Sequence, residues 1–459
     1  MRMGHVLTAV FVMAALVSVS GCPSGPITPP GNSLAVTTLT DVADGDVTSV
    51  DALRAAPGVD GVISLREALL AVNASGGNRT IRFDVAGTIG PLTPLPVLGA
   101  DRITLDGQDK ITLDGGLRSG LDNGIEIIAA DCIVRNLNVQ RFPGDGIVLT
   151  GVFATDNRIE GCRIGTNGTS AQRNGRAGVR MRGGARSNVI GGSTDGAGNL
   201  ISGNDQWGVV IESISAGRST GNRVQGNFIG SNELGNLAVP NKLGGVLIAD
   251  SSENLIGGTT AVSRNVITGN TGPGIEITGS ITALAARENV IQGNFIGTNA
   301  SAGAGPGNVT GVRIAGQVFD TLIGGTTEAE GNVIAGNTDA GVAITTGAGN
   351  AIRRNSIFDN NGTGIVLTNA AANDGMPAPV ITKLSPNLTG TAEPNAIVEF
   401  FVDSEGEGGF YTIRTTATAQ GTFTLSGLNF GNFSGLDLTA TATDRDGNTS
   451  EFSAAFPIP

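Results

Sequence analysis

Two short signatures recur along most of this chain, and their spacing restricts the fold more than any other feature. The first, Gly-hydrophobic-x-hydrophobic, begins at Gly124, Gly146, Gly178, Gly208, Gly245, Gly274, Gly311, Gly341 and Gly364. The second, Asn-x-Ile/Val-x-Gly-Asn, begins at Asn199, Asn222, Asn265, Asn289 and Asn332. Gly178 to Gly245 is 67 residues, Gly245 to Gly311 is 66, and Gly274 to Gly341 is 67. The shortest units, from Gly124 and from Gly341, are 22 and 23 residues.

A unit this short holds three brief strands of alternating pattern, separated by Gly and Asn. Such strands form no stable sheet within one unit. Stacking each unit on the next gives every strand a neighbour above and below, and points the alternating Val, Ile and Leu into one continuous core. Asn at the corners hydrogen-bonds backbone and tolerates the left-handed region, and stacking predicts ladders of Asn side chains. The expected fold class is therefore all-β: a parallel β-helix over residues 80–372.

Composition agrees and excludes alternatives. Glycine is 72 of 459 residues without an every-third pattern, so the chain is not collagen-like. The one histidine is His5. It lies in a segment expected to be cleaved, which removes Ser-His-Asp catalysis and His-ligated zinc from consideration. A pI near 4.6 argues against a nucleic-acid partner.

The pattern, including Gly-Asn-Phe-Ile-Gly at 226–230 and 293–297, resembles the right-handed parallel β-helix repeats of bacterial surface proteins. That resemblance implies a scaffold shared by pectate lyases, hydrolases, epimerases and adhesins, so it speaks for fold and not for activity.

The two ends read differently. Residues 1–21 have the pattern of a secretory signal: Arg2, an apolar run from Val6 to Val17, and Val19-Ser20-Gly21 before Cys22. This resembles the bacterial lipobox, which implies lipidation of Cys22 and a cell-envelope location outside the cytoplasm. Residues 22–33 would be a Pro/Gly/Ser tether. Residues 34–79 form an expected cap module. In it Ser64-Leu-Arg-Glu67 is a capping box opening an amphipathic helix that plugs the coil. This stretch resembles the module named for a Cys-Ser-Leu-Arg-Glu-Ala motif, with Ile63 in place of the cysteine. Residues 376–459 alternate as strands and resemble a small immunoglobulin-like β-sandwich. Its Asp444-Arg-Asp-Gly-Asn448 segment reads as a turn, with calcium as the alternative; no cofactor is required and no metal ligands are assigned. Cys132 and Cys162 replace Asn at two different points of the repeat and read as buried thiols, not a disulfide.

In active enzymes of this fold the chemistry sits on an outer strand face, as the resemblance implies. Alternation makes two outward columns. One runs Glu126, Val148, Arg180, Val210, Leu247, Glu276, Arg313, Ala343, Val366; the other Ile128, Thr150, Arg182, Glu212, Ala249, Thr278, Ala315, Thr345, Thr368. Arg182 is expected beside Glu212, and Glu276 beside Arg313. Glu212, Glu276 and Arg313 are the catalytic candidates should the chain act as a lyase or epimerase on a uronate polymer. Seven arginines against the single acid Glu160 make residues 158–186 strongly basic. Within them Arg176, Arg180 and Arg182 are candidates for binding an acidic polysaccharide, because arginine forks suit carboxylates. The leading expectation is a monomeric, lipid-anchored structural or polysaccharide-binding surface protein, with a plain spacer as a further option. The discriminating feature is whether these charges converge in a groove or pair off on a flat face.

Overall fold

The computed structural model describes residues 32–214, 217–280 and 285–459. The signal segment, Cys22 and most of the tether lie outside the described residues.

The chain winds as a right-handed parallel β-helix with three strand columns. The Gly-hydrophobic-x-hydrophobic signature forms one face, a nine-stranded parallel sheet from Ile125–Ile127 to Ile365–Leu367. The other two faces form one larger sheet, because the long strands Ile103–Asp114 and Ile133–Gln140 bend round a corner and belong to both. Inward residues such as Ile190, Val224, Ile256 and Ile291 are fully buried, and one apolar core runs from Leu34 to Ala372. The parallel ladder begins earlier than residue 80: Ser33–Val36 pairs with Arg79–Phe83, so the cap module contributes the first rung.

Each of the three corners carries an asparagine ladder. One runs through Asn157, Asn188, Asn222, Asn254 and Asn289. A second runs through Asn199, Asn227, Asn265, Asn294, Asn332 and Asn355. The third runs through Asn174, Asn204, Asn241, Asn270, Asn308, Asn337 and Asn360. In each rung the side-chain oxygen accepts from the coil below and the amide donates onward, which satisfies the turning backbone.

One expectation needs correcting. The left-handed residue is generally not the ladder Asn but the one before it: Asp156, Ser187, Gly221, Glu253 and Glu288 in the first ladder, Gly226, Gly293 and Arg354 in the second. The Asn stays in ordinary backbone space because its side chain must point along the stack. Cys132 and Cys162 are free, buried, and stand at the start of two ladders. Their backbone N–H groups donate to Asn157 Oδ1 at 2.8 Å and Asn199 Oδ1 at 2.9 Å.

The N-terminal plug is a pair of helices, α1 (Val50–Ala55) and α2 (Leu65–Ala74). The capping box of α2 forms as the sequence predicts: the Ser64 hydroxyl accepts from Glu67 N and the Glu67 carboxylate accepts from Ser64 N. Glu67 also accepts from Asp44 N and Gly45 N, so one buried carboxylate fixes three backbone amides. Leu65, Ala68, Leu69 and Val72 close the core at this end.

After residue 375 two antiparallel sheets pack as a sandwich. Val380–Lys383, Asn387–Thr391 and Thr422–Ser426 form one; Phe410–Thr416, Ile397–Asp403, Asp437–Thr443 and Phe456–Pro457 form the other. Its core includes Phe400, Phe423, Val398 and Leu438. Around the 444–448 turn, Asp444 Oδ1 accepts from Asp446 N and Asn448 N at 2.9 Å each. Asn448 Oδ1 accepts from Gly349 N at 2.6 Å, tying the turn to the coil. Among the described residues no group of three or more His, Cys, Asp or Glu side chains is placed to hold a metal ion.

Candidate functional site

The register of the nine-stranded face sets the candidate side chains. Val148, Arg180, Val210, Leu247, Glu276, Arg313 and Ala343 are successive neighbours across the strands, as are Thr150, Arg182, Glu212, Ala249 and Thr278. Both columns therefore run as the alternation predicts.

The contacts differ from the register. Arg182 lies beside Glu212, but the ion pair of Glu212 is with Arg180, Nη1 to Oε2 at 3.1 Å. Arg180 Nε also meets Asp145 Oδ2 at 3.0 Å. Asp145 is buried and its second oxygen accepts from Ala177 N at 2.8 Å. Burial pulls the Arg180 guanidinium down, yet the bonds to Asp145 and Glu212 carry it above its ordinary value. Only 8% of Arg180 is exposed, so it holds the face together rather than presenting itself to solvent. The reason is length: the guanidinium reaches Asp145 in the corner before its own column, a partner that strand alternation does not reveal.

Further along the face Arg313 Nη1 meets Glu276 Oε1 at 3.3 Å, in register and partly exposed. Outward does not mean solvated throughout: Val148 and Val210 are buried. Val210 packs with Ala177, Trp207 and Leu247 in a small outer cluster. The Trp207 ring lies over Gly244, where a Cβ would collide with it, so the only tryptophan is a packing residue.

The basic run at 158–186 is largely neutralised. Arg158 pairs with Glu160, Arg163 with Glu233 and Arg173 with Asp205. Arg186 donates to Val152 O. Arg176 and Arg182 are half-buried and make no ion pair among the described residues.

A second feature is not signalled by the motifs. Where the sandwich meets the last coils, a cleft of about 950 Å³ opens between the outer side of the β-helix and the strand Phe410–Thr416. Phe295, Val333 and Ser356, neighbours in one strand column, line the coil side. Gly409, Phe410 and Tyr411 line the other. The Arg264 guanidinium lies 4.1 Å from the Phe295 ring centroid, and that of Arg354 lies 4.4 Å from the Tyr411 ring centroid. The signal available in the sequence was that both arginines precede a ladder Asn, Asn265 and Asn355.

The fold places the chain among right-handed parallel β-helix proteins. A family model described as a right handed beta helix region matches residues 232–375. No curated protein matches the chain by sequence. Among solved structures it is similar to the A-module of the mannuronan C-5 epimerase of Azotobacter vinelandii: 17% identity, 63% of this chain and 79% of that chain covered, TM-score 0.34. It is also similar to the Dettilon tailspike protein, with 12% identity, coverage of 92% and 80%, and a TM-score of 0.37. PfbA, a surface adhesin of Streptococcus pneumoniae, has 9% identity, coverage of 84% and 94%, and a TM-score of 0.32.

Proposed function

We propose that this protein is a lipid-anchored surface protein of the bacterial envelope whose β-helix contacts an acidic polysaccharide without transforming it, and whose C-terminal sandwich is immunoglobulin-like. The observation that supports this reading is how the candidate charges are used. Arg180 is shared by Asp145 and Glu212, and Arg313 meets Glu276. Carboxylates engaged in ion pairs are poor general acids or bases, whereas a lyase or epimerase needs them converging on a bound sugar. Arg176 and Arg182, without carboxylate partners among the described residues, keep donors for an acidic polymer. Anchoring through Cys22 would hold this face outside the cytoplasm.

The test uses the purified protein against polygalacturonate, alginate and neutral dextran. Salt-sensitive binding to an acidic polymer is expected, with no new reducing ends and no change in uronate composition by NMR. Cleavage or epimerisation that disappears in Glu212→Gln or Glu276→Gln would overturn the non-catalytic reading. Failure to bind any acidic polymer would overturn the binding reading.

A further inference from the structure

We infer that the cleft between the last coils and the sandwich is a binding site for a short acidic saccharide, with Arg264 and Arg354 taking its carboxylates and Phe410 offering a ring face. This deepens the proposed function and rests on it.

Four observations carry the assignment. First, the corner column that precedes the second asparagine ladder reads Arg264, Gly293, Gly331, Arg354 in successive coils. Two side chains of full length are thus separated by two positions with none. At about 4.8 Å per coil the two arginine backbones stand roughly 14 Å apart. A side chain at either glycine would collide with backbone, a Cβ on Gly293 with Gly258 O and one on Gly331 with Arg354 O, so none stands between the two arginines.

Second, neither arginine makes an ion pair among the described residues. Arg264 Nε donates to Gly293 O at 3.0 Å and Arg354 Nη1 to Thr326 O at 3.2 Å. Each is therefore oriented by a backbone carbonyl, and its remaining side-chain N–H groups make no hydrogen bond among the described residues. Burial lowers the Arg264 pKa from its ordinary value, the direction expected for a cation with no counter-charge.

Third, each guanidinium is stacked on a ring, which holds its plane and leaves its edge for a forked contact with a carboxylate. Fourth, Phe410 is 66% exposed at the rim, an apolar face beside cationic donors, the combination that suits a sugar ring bearing an acid. A second trough of about 650 Å³ adjoins the cleft at Val333, Ser356 and Phe410, but Asp359, Asp403 and Glu405 line it, so an acidic ligand is confined to the arginine side. Glu328 also lines the cleft. It opposes an anion, so its position gives the assignment a second sign to test.

The experiment is calorimetric titration of the purified protein with oligogalacturonate and oligomannuronate, and with neutral malto-oligosaccharide as control. Arg264→Gln and Arg354→Gln are each expected to weaken binding about tenfold or more, the loss of one charge-assisted contact. Glu328→Gln is expected to tighten it. Arg102→Gln, at an exposed arginine of the N-terminal coils outside the cleft, is expected to leave binding of the oligosaccharide unchanged. Melting temperatures check folding; should Arg354→Gln melt early, Arg264→Gln and Glu328→Gln decide alone. Parental affinity in folded Arg264→Gln, or equal binding of the neutral sugar, would overturn the site. If the parent binds acidic polymers and the cleft variants still do so normally, only the cleft assignment falls. If the parent binds no acidic saccharide of any length, the broader reading falls with it.

Discussion

The Glu407 carboxylate, carried by the sandwich, terminates the asparagine ladder of the β-helix at Asn360: Asn360 N donates to Glu407 Oε2 at 3.0 Å. The position that a further Asn would occupy is taken by a side chain from the other domain. Neighbouring contacts follow the same logic. Glu399 accepts from Arg354 N at 2.9 Å and meets Arg353, and Asn373 Nδ2 donates to Thr449 O at 3.0 Å. The sandwich is thus the C-terminal cover that an open coil end requires.

Glu407 should make stability depend on pH. Burial is the largest influence and raises its pKa above the ordinary 4.5, with the bonds from Asn360 opposing. A raised folded pKa means the stabilisation is full below the unfolded value and is lost as pH rises through the folded one. Glu407→Gln keeps an acceptor for Asn360 and has no charge to bury. Its melting temperature at pH 7 should equal or exceed that of the parent, and the difference should shrink towards pH 4. A Gln variant equally destabilised at both pH values would refute this role.

Asn227→Ala tests the ladders. Asn227 accepts from Asn199 N and Nδ2, and its amide donates to Ile190 O, Gln225 O and Asn265 Oδ1. Its loss leaves several buried groups unpaired, at about 1–3 kcal/mol each. Urea denaturation should show a loss of about 3 kcal/mol or more. A loss below about 1 kcal/mol, no more than an ordinary surface change, would mean that the ladder is incidental.

Arg180 and Arg182, two residues apart, should separate structural from binding roles. Arg180→Leu strands the buried Asp145 carboxylate and should cost about 3–5 kcal/mol. Arg182→Gln should change stability by no more than about 0.5 kcal/mol. It should instead weaken retention on an acidic-polymer column. Equal stability effects at both positions would contradict the division.

The two ladder-start thiols should be inert in the folded protein. Burial above all pushes Cys132 up to about 11 and Cys162 up to about 12. At pH 8 neither should react with a thiol reagent until denaturant is added, when both should label. Rapid labelling of either in the native protein, mapped by mass spectrometry, would show that the coil opens there.

The strand columns were legible because stacking makes the neighbour of each residue the same point of the next repeat. Counting from Gly178, Gly208 and Gly245 therefore places Arg180 beside Val210, and Val210 beside Leu247, without any structure. The capping box was legible for a similar reason, since all its contacts lie within one helical turn. Partner choice was not. Arg180 reaches backwards to Asp145 rather than leaving Glu212 to Arg182, because long side chains select among neighbours by burial and not by register.

The sequence alone thus determined the local and periodic part of this protein: three short strands per coil, an apolar interior, asparagine corners and a helical plug. These depend on interactions between equivalent points of adjacent repeats. The tertiary structure decided what depends on residues far apart in the chain: the sandwich as a cover through Glu407, and the cleft in which Arg354 stacks on Tyr411. No periodicity encodes those, since a second domain docked on the coil end supplies half of each contact.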